Sequence, residues 1–229
     1  MIQKIAIIPD VHGRKFWRRA IERGLKENVD KIIFLGDYGD PYGSEEISHK
    51  DALMELEDII QFQENNPNKV VLLLGNHDAH YLNRSFSPCT RYSHKYAPEY
   101  HELLANRAEF HRAYECEQNG IKYLFTHAGV SPEWLRNNHI EEGANLSLIL
   151  NEESWDVYDQ YSYLRGGYFL FGSPIWADIR EHASSKERIK DYIQIFGHTM
   201  LSRPYFEDKI ICLDCKKAFI LENNEIKEF

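Results

Sequence analysis

Five short polar clusters hold the side chains of this chain that could do chemistry. They are Asp10-Val11-His12-Gly13, Gly36-Asp37-Tyr38-Gly39-Asp40, Gly75-Asn76-His77-Asp78, His127-Ala128-Gly129 and Gly197-His198-Thr199. Ionised carboxylates and neutral imidazoles are ligands that divalent manganese, iron and zinc accept together, whereas magnesium and calcium prefer oxygen alone. The mixed set therefore points to a transition metal. Asp10 and His12 stand two residues apart where the chain leaves an apolar run. If that run is a strand, its period of two aims both side chains the same way, at one ion. Glycines beside these residues let the backbone turn sharply and let a bound group come close.

Each cluster directly follows an apolar run, at 4–8, 31–35, 69–74, 121–125 and 192–196. Runs rich in Ile and Val without strict alternation suit strands buried on both faces. Between the first three lie segments of helical character, 14–26 and 45–64, the second with Leu53, Leu56, Ile59 and Ile60 at near-helical spacing. The first half thus reads βαβαβ. Right-handed crossovers make its strands a parallel sheet whose functional loops gather at the carboxyl ends. Two stretches near 79–110 and 131–180 are polar and aromatic and are expected to form cap-like insertions within a single domain spanning 1–229. In the tail, 209–213 and 218–221 are apolar between turn or charged residues and predict a closing β-hairpin.

A chain of 229 residues fits one α/β domain, and no stretch of it is apolar enough to span a bilayer. The apolar start at residues 1–8 is broken by Pro9-Asp10 with no cleavage site behind it, so it reads as a first core strand rather than a signal segment. Four cysteines are too few for a disulfide scaffold and fit a reducing compartment, the cytoplasm by default. A net charge of −9 argues against nonspecific nucleic-acid binding through a basic face.

The ordered set Asp-x-His, Gly-Asp, Gly-Asn-His-Asp, His-Ala-Gly and Gly-His-Thr, running from Asp10 to His198, resembles the calcineurin-like metallophosphoesterases. It is nearest in motif to their serine/threonine phosphatase and dinucleoside polyphosphate hydrolase branch. The resemblance implies a four-layer α/β/β/α sandwich: two mixed sheets packed together with helices outside. It also implies two divalent transition-metal ions, manganese first, with iron or zinc as alternatives. By the same resemblance Asp10, His12 and His198 bind the first ion, Asn76 and His127 the second, and Asp37 bridges them. His77 matches the family's general acid, and Asp40 the carboxylate that orients it. Two such ions lower the pKa of a shared water and clamp both oxygens of an in-line displacement.

The expected activity is hydrolysis of a phosphomonoester or a nucleotide-type phosphoanhydride. A phosphodiesterase acting on cyclic nucleotides or nucleic-acid ends is the alternative enzyme, and a catalytically silent binding scaffold the alternative class. The expected partner is a phosphorylated small molecule or nucleotide, ahead of a phosphoprotein, with no membrane. Two departures from the phosphatase branch support that order: Pro41 and Leu74 stand where its phosphate-gripping arginines are expected. Arg14 is the candidate substitute, since a guanidinium grips phosphate bidentately. Arg84, Arg91, Arg107 and Arg165 fall in the cap regions, where any of them could contact a second phosphate, although an individual arginine there is more often a surface residue. Asp78 reads as a helix N-terminal carboxylate. Cys212-Leu213-Asp214-Cys215 has redox or zinc spacing but lies in an apolar β pattern and reads as structural.

Overall fold

The computed structural model describes residues 4–83, 85–86, 89–143 and 145–229. Its strands are β1 (Lys4–Ile8), β2 (Lys31–Phe34), β3 (Val70–Leu73), β4 (Phe110–His111), β5 (Ala113–Gln118), β6 (Ile121–Thr126), β7 (Tyr192–Phe196), β8 (Tyr205–Glu207), β9 (Ile210–Cys212), β10 (Phe219–Glu222) and β11 (Glu225–Glu228). The helices are α1 (Phe16–Lys26), α2 (His49–Asn65), α3 (Asn76–Leu82), α4 (Ala97–Asn106), α5 (Pro132–Asn137), α6 (Leu146–Glu152), α7 (Trp155–Tyr158) and α8 (Ile179–Ser184).

Among the described residues the strands form two mixed sheets, ordered β11-β10-β1-β2-β3-β4 and β5-β6-β7-β9-β8. β1, β2 and β3 are mutually parallel, as are β6, β7 and β9. Alternation along β1 shows how the layers are made: Ile5 and Ile7 face the second sheet, while Ala6 and Ile8 face the helical side. Ile33, Leu35 and Leu73 join Phe125, Ile195 and Leu213 between the sheets. Outside the first sheet, Phe34 and Leu72 pack on Trp17 of α1, Leu56 and Ile60 of α2, and Leu103 of α4. Outside the second, Leu124 and Tyr192 pack on Trp134 of α5 and Leu150 of α6. This is the α/β/β/α sandwich expected of the family.

α2 begins at a capping box, with Ser48 and Asp51 satisfying each other's backbone N–H groups. That cap fixes its start later than the helical periodicity indicated. The tail differs from the single hairpin expected. β9 pairs with β7 and β8, whereas β10 pairs with β1 and β11, so the two runs lie in different sheets. Both are apolar on both faces, and each is buried in a sheet of its own. The turn that does close a hairpin is Asn223-Asn224, both left-handed at φ 52° and 63°, as a two-residue type I′ turn requires. No helix among the described residues is long and apolar enough to cross a membrane.

Candidate metal centre and its cavity

Strands β1, β2, β3, β6 and β7 deliver the five polar clusters to one edge of the sandwich. The backbone there is unusual: His12, Asp37, Asp40 and His198 all have positive φ, at 46°, 55°, 51° and 65°. Non-glycine residues enter this region seldom, Asp and His more readily than most. The left-handed turn at His12, beyond the end of β1, aims its ring; strand alternation does not. Gly75 and Gly197 allow the closest approaches. A Cβ at Gly75 would lie 2.1 Å from Asp37 Oδ1, and one at Gly197 2.1 Å from Asp10 Oδ1.

Main-chain groups orient the imidazoles. His12 Nδ1–H donates to Gly39 O at 2.8 Å and His127 Nδ1–H to Leu35 O at 2.8 Å, so the lone pair of the neutral ring is on Nε2 in both. Those nitrogens face Asp37 Oδ2 at 3.5 and 3.4 Å. His127 Nε2 also meets Asn76 Oδ1 at 3.0 Å and His198 Nδ1 at 3.1 Å. Asn76 spends its amide N–H on Cys89 Sγ at 3.5 Å, which turns Oδ1 inward. Asp10 accepts the His198 main-chain N–H at 2.9 Å and, with His12 and Asp37, forms a second compact ligand group.

Electrostatics show the same convergence. Burial lowers the His12 pKa to about 3. Burial, with the Arg165 charge, holds His198 well below the usual imidazole range. Burial opposes charge on His127 too, but the Asp37 and Asp10 carboxylates raise it to about 10. Against burial, the His127 and His77 imidazoles hold Asp37 well below the carboxylate range. Lone pairs from carboxylate, amide and imidazole thus face one another across distances that demand a cation between them. A proton on His127 is the smallest cation that answers, and a divalent transition metal matches the whole nitrogen and oxygen set.

The ligand atom of His198 groups with those of Asp37 and His127, while its main-chain N–H donates to Asp10.

His77 borders this cluster. Its N–H donates to Asp37 Oδ1 at 2.9 Å, and its Nδ1–H donates to Asp40 Oδ2 at 2.8 Å. Asp40 is fully buried, accepts the Tyr81 hydroxyl at 2.6 Å, and has His80 Nε2 2.9 Å from Oδ2. Burial would raise its pKa, but the hydrogen bonds from His77 and His80 lower it. His80 is therefore a buried support of Asp40, and its Nδ1 accepts the Cys89 N–H at 3.0 Å. Asp78 does more than begin α3: its carboxylate accepts the N–H groups of Asp37, Tyr38 and Gly75 at 2.7, 3.1 and 2.8 Å, tying two clusters together.

The cavity above the cluster has a volume of about 350 Å³ and is walled by Tyr42, Arg91, Tyr161, Arg165 and Trp176. Arg14 does not line it. Arg14 Nε donates to Glu45 at 2.7 Å and its NH1 to Asp10 O at 3.2 Å. Of the cap-region arginines, Arg91 and Arg165 line the cavity, where the tertiary fold brings their segments. Arg107 pairs with Glu64 on the surface, and Arg84 lies outside the described residues. All four cysteines are free, and Cys212 Sγ donates to Gly197 O at 3.2 Å, a structural contact.

With this fold and site in view, the sequence comparison is direct: the chain belongs to the calcineurin-like phosphoesterase family, whose profile matches residues 3–202. Among solved structures, a serine/threonine phosphatase from Saccharomyces cerevisiae, described as similar to human phosphatase PP5, superposes with a TM-score of 0.53. It has 14% identity, over 99% of this chain and 79% of that one. A phosphoesterase from E. coli, Yfce, gives a TM-score of 0.48 and 13% identity over 97% and 90% of the two chains. At such identities the likeness is one of fold. No curated protein matches the sequence significantly.

Proposed function

We infer that this phosphoesterase hydrolyses a phosphomonoester or nucleotide-type phosphoanhydride and carries two divalent transition-metal ions, manganese first. The observation that carries the reading is the set of facing lone pairs around Asp37 Oδ2, which only a cation reconciles. Asp10 and His12 would hold one ion, Asn76, His127 and His198 the other, with Asp37 between them. When bound, the ions supply Lewis acidity, making a nucleophile of water and offsetting charge on the phosphoryl oxygens. His77, oriented by Asp40, gives a proton to the leaving oxygen. The cavity suits a small phosphorylated molecule or nucleotide better than a folded phosphoprotein. Four free thiols support a reducing, cytoplasmic setting.

The test is a panel of monoester, diester and anhydride substrates assayed after chelation and after return of manganese. Activity is expected to vanish with the metal, return best with manganese, and be highest on a monoester or anhydride. Lower pH should weaken metal binding, because protons compete for the same imidazoles and carboxylates. Full turnover by protein shown to be metal-free by elemental analysis, or a diester as best substrate, overturns the reading.

A further inference from the structure

Arg91 stands out among the cavity residues. Its backbone is left-handed at φ 72°, which few non-glycine residues adopt. Its Nε–H donates to the main-chain oxygen of Asp40 at 2.9 Å, and its NH2 meets His77 Nε2 at 3.2 Å. The guanidinium lies over the Tyr42 ring, 3.9 Å from its centroid. Among the described residues no carboxylate comes within salt-bridge distance of it. Arg165 contrasts with it: its Nε lies 2.9 Å from Asp178 Oδ2, a carboxylate it shares with Arg180, and its NH2 donates to Thr199 Oγ1 at 2.5 Å. Arg91 is thus a cation held by a carbonyl, an imidazole and an aromatic face, next to the proposed acid, with no anion of its own.

The geometry points to Arg91 as the residue that grips the substrate's phosphoryl oxygens and favours a terminal, doubly charged phosphoryl group over a diester. The inference rests on the hydrolase reading above. It supplies, from the loop after α3, the guanidinium missing at Pro41 and Leu74. Two features argue for this role. The planar fork is already fixed by Tyr42 and Asp40 O, so little freedom is lost on gripping an oxyanion. The contact with His77 Nε2 also puts the fork where the leaving oxygen must meet that nitrogen. A dianionic group gains more from the unbalanced charge than a monoanionic diester does.

The test uses metal-loaded enzyme, with inorganic phosphate as competitive probe and p-nitrophenyl phosphate and bis(p-nitrophenyl) phosphate as substrates. Arg91→Ala should weaken phosphate inhibition about tenfold or more, the worth of a charge-assisted hydrogen bond. It should lower kcat/KM on the monoester by about 10²-fold, and on the diester by clearly less. Added guanidinium chloride, at concentrations that leave the fold intact, should restore part of the loss. Arg91→Lys, which keeps the charge without the fork, should recover phosphate binding only in part. Unchanged phosphate affinity in Arg91→Ala with full metal content overturns the assignment, as does equal loss on both substrates. If Arg91→Ala fails to fold, wild-type behaviour of Arg91→Lys towards phosphate and monoester overturns it instead. A wild-type enzyme that binds phosphate through Arg91 yet cleaves none of the panel would defeat the hydrolase reading alone.

Discussion

The floor of the cavity and its walls are built in opposite ways. Asp10, Asp37, Asn76, His127 and His198 each follow a buried strand, and main-chain partners such as Leu35 O and the His198 N–H hold the floor groups in place. Arg91, Tyr161 and Trp176 come from irregular segments and Arg165 from a single 3₁₀ turn, and most of their contacts are with side chains, such as the Tyr161–Trp176 ring pair at 4.1 Å and the Arg165–Asp178 ion pair. A rigid floor suits ligands that must keep sub-ångström placement, and variable walls suit the choice of phosphate ester. Cleavage chemistry should therefore fail abruptly when the floor is altered. Wall changes should move substrate affinity and preference while leaving metal in place.

The largest effect is expected from Asp37→Ala. Oδ2 faces Nε2 of both His12 and His127, and Oδ1 takes the His77 N–H, so one truncation strips both ligand groups of their common oxygen. Metal content by elemental analysis and turnover should both collapse. Retention of two ions per chain with measurable rate would show that the floor does not depend on a bridging carboxylate.

His77 sits where floor meets wall, and its substitution tests the division most directly. His77→Ala should leave the ions bound and slow turnover about 10²–10⁴-fold, the usual worth of a general acid. The loss should shrink with a nitrophenyl ester, whose leaving oxygen is already acidic, and be largest with an alkyl phosphate. Equal losses on both, with metal and fold intact, would falsify proton donation and leave His77 a positioning residue.

The same division explains what could be read from sequence. The convergence of the floor residues was legible because carboxylates, an amide and imidazoles each follow an apolar run such as 31–35 or 192–196. Arg91 and Arg165 were not, since a loop arginine has no local signature and only packing turns it inward. β5 was missed because its Tyr-Glu-Cys-Glu-Gln pattern at a sheet edge is mixed in polarity. Yet Asn119-Gly120, left-handed at both residues, marks the β5–β6 hairpin as strongly as any dipeptide can. Asn223-Asn224 likewise indicated that 218–221 pairs forward with β11 and not back to 209–213.

The smallest effect should come from the wall, at Trp176. Its ring packs edge-on to His198, 5.9 Å between centroids, and its buried Nε1–H has no acceptor among the described residues. A buried donor left without a partner is costly unless a ligand completes it. Trp176→Phe keeps an aromatic ring beside His198 but removes that donor. One neutral hydrogen bond is worth about 1 kcal/mol, so KM for a nucleotide-type anhydride should rise about fivefold if the substrate supplies the acceptor. Metal content should not move, and kcat should stay within about twofold, because uniform binding is lost without a change at the reacting atoms. A fall in kcat with loss of metal would instead make Trp176 part of the floor, through His198. That outcome would redraw the boundary between rigid chemistry and adaptable recognition on which the comparison stands.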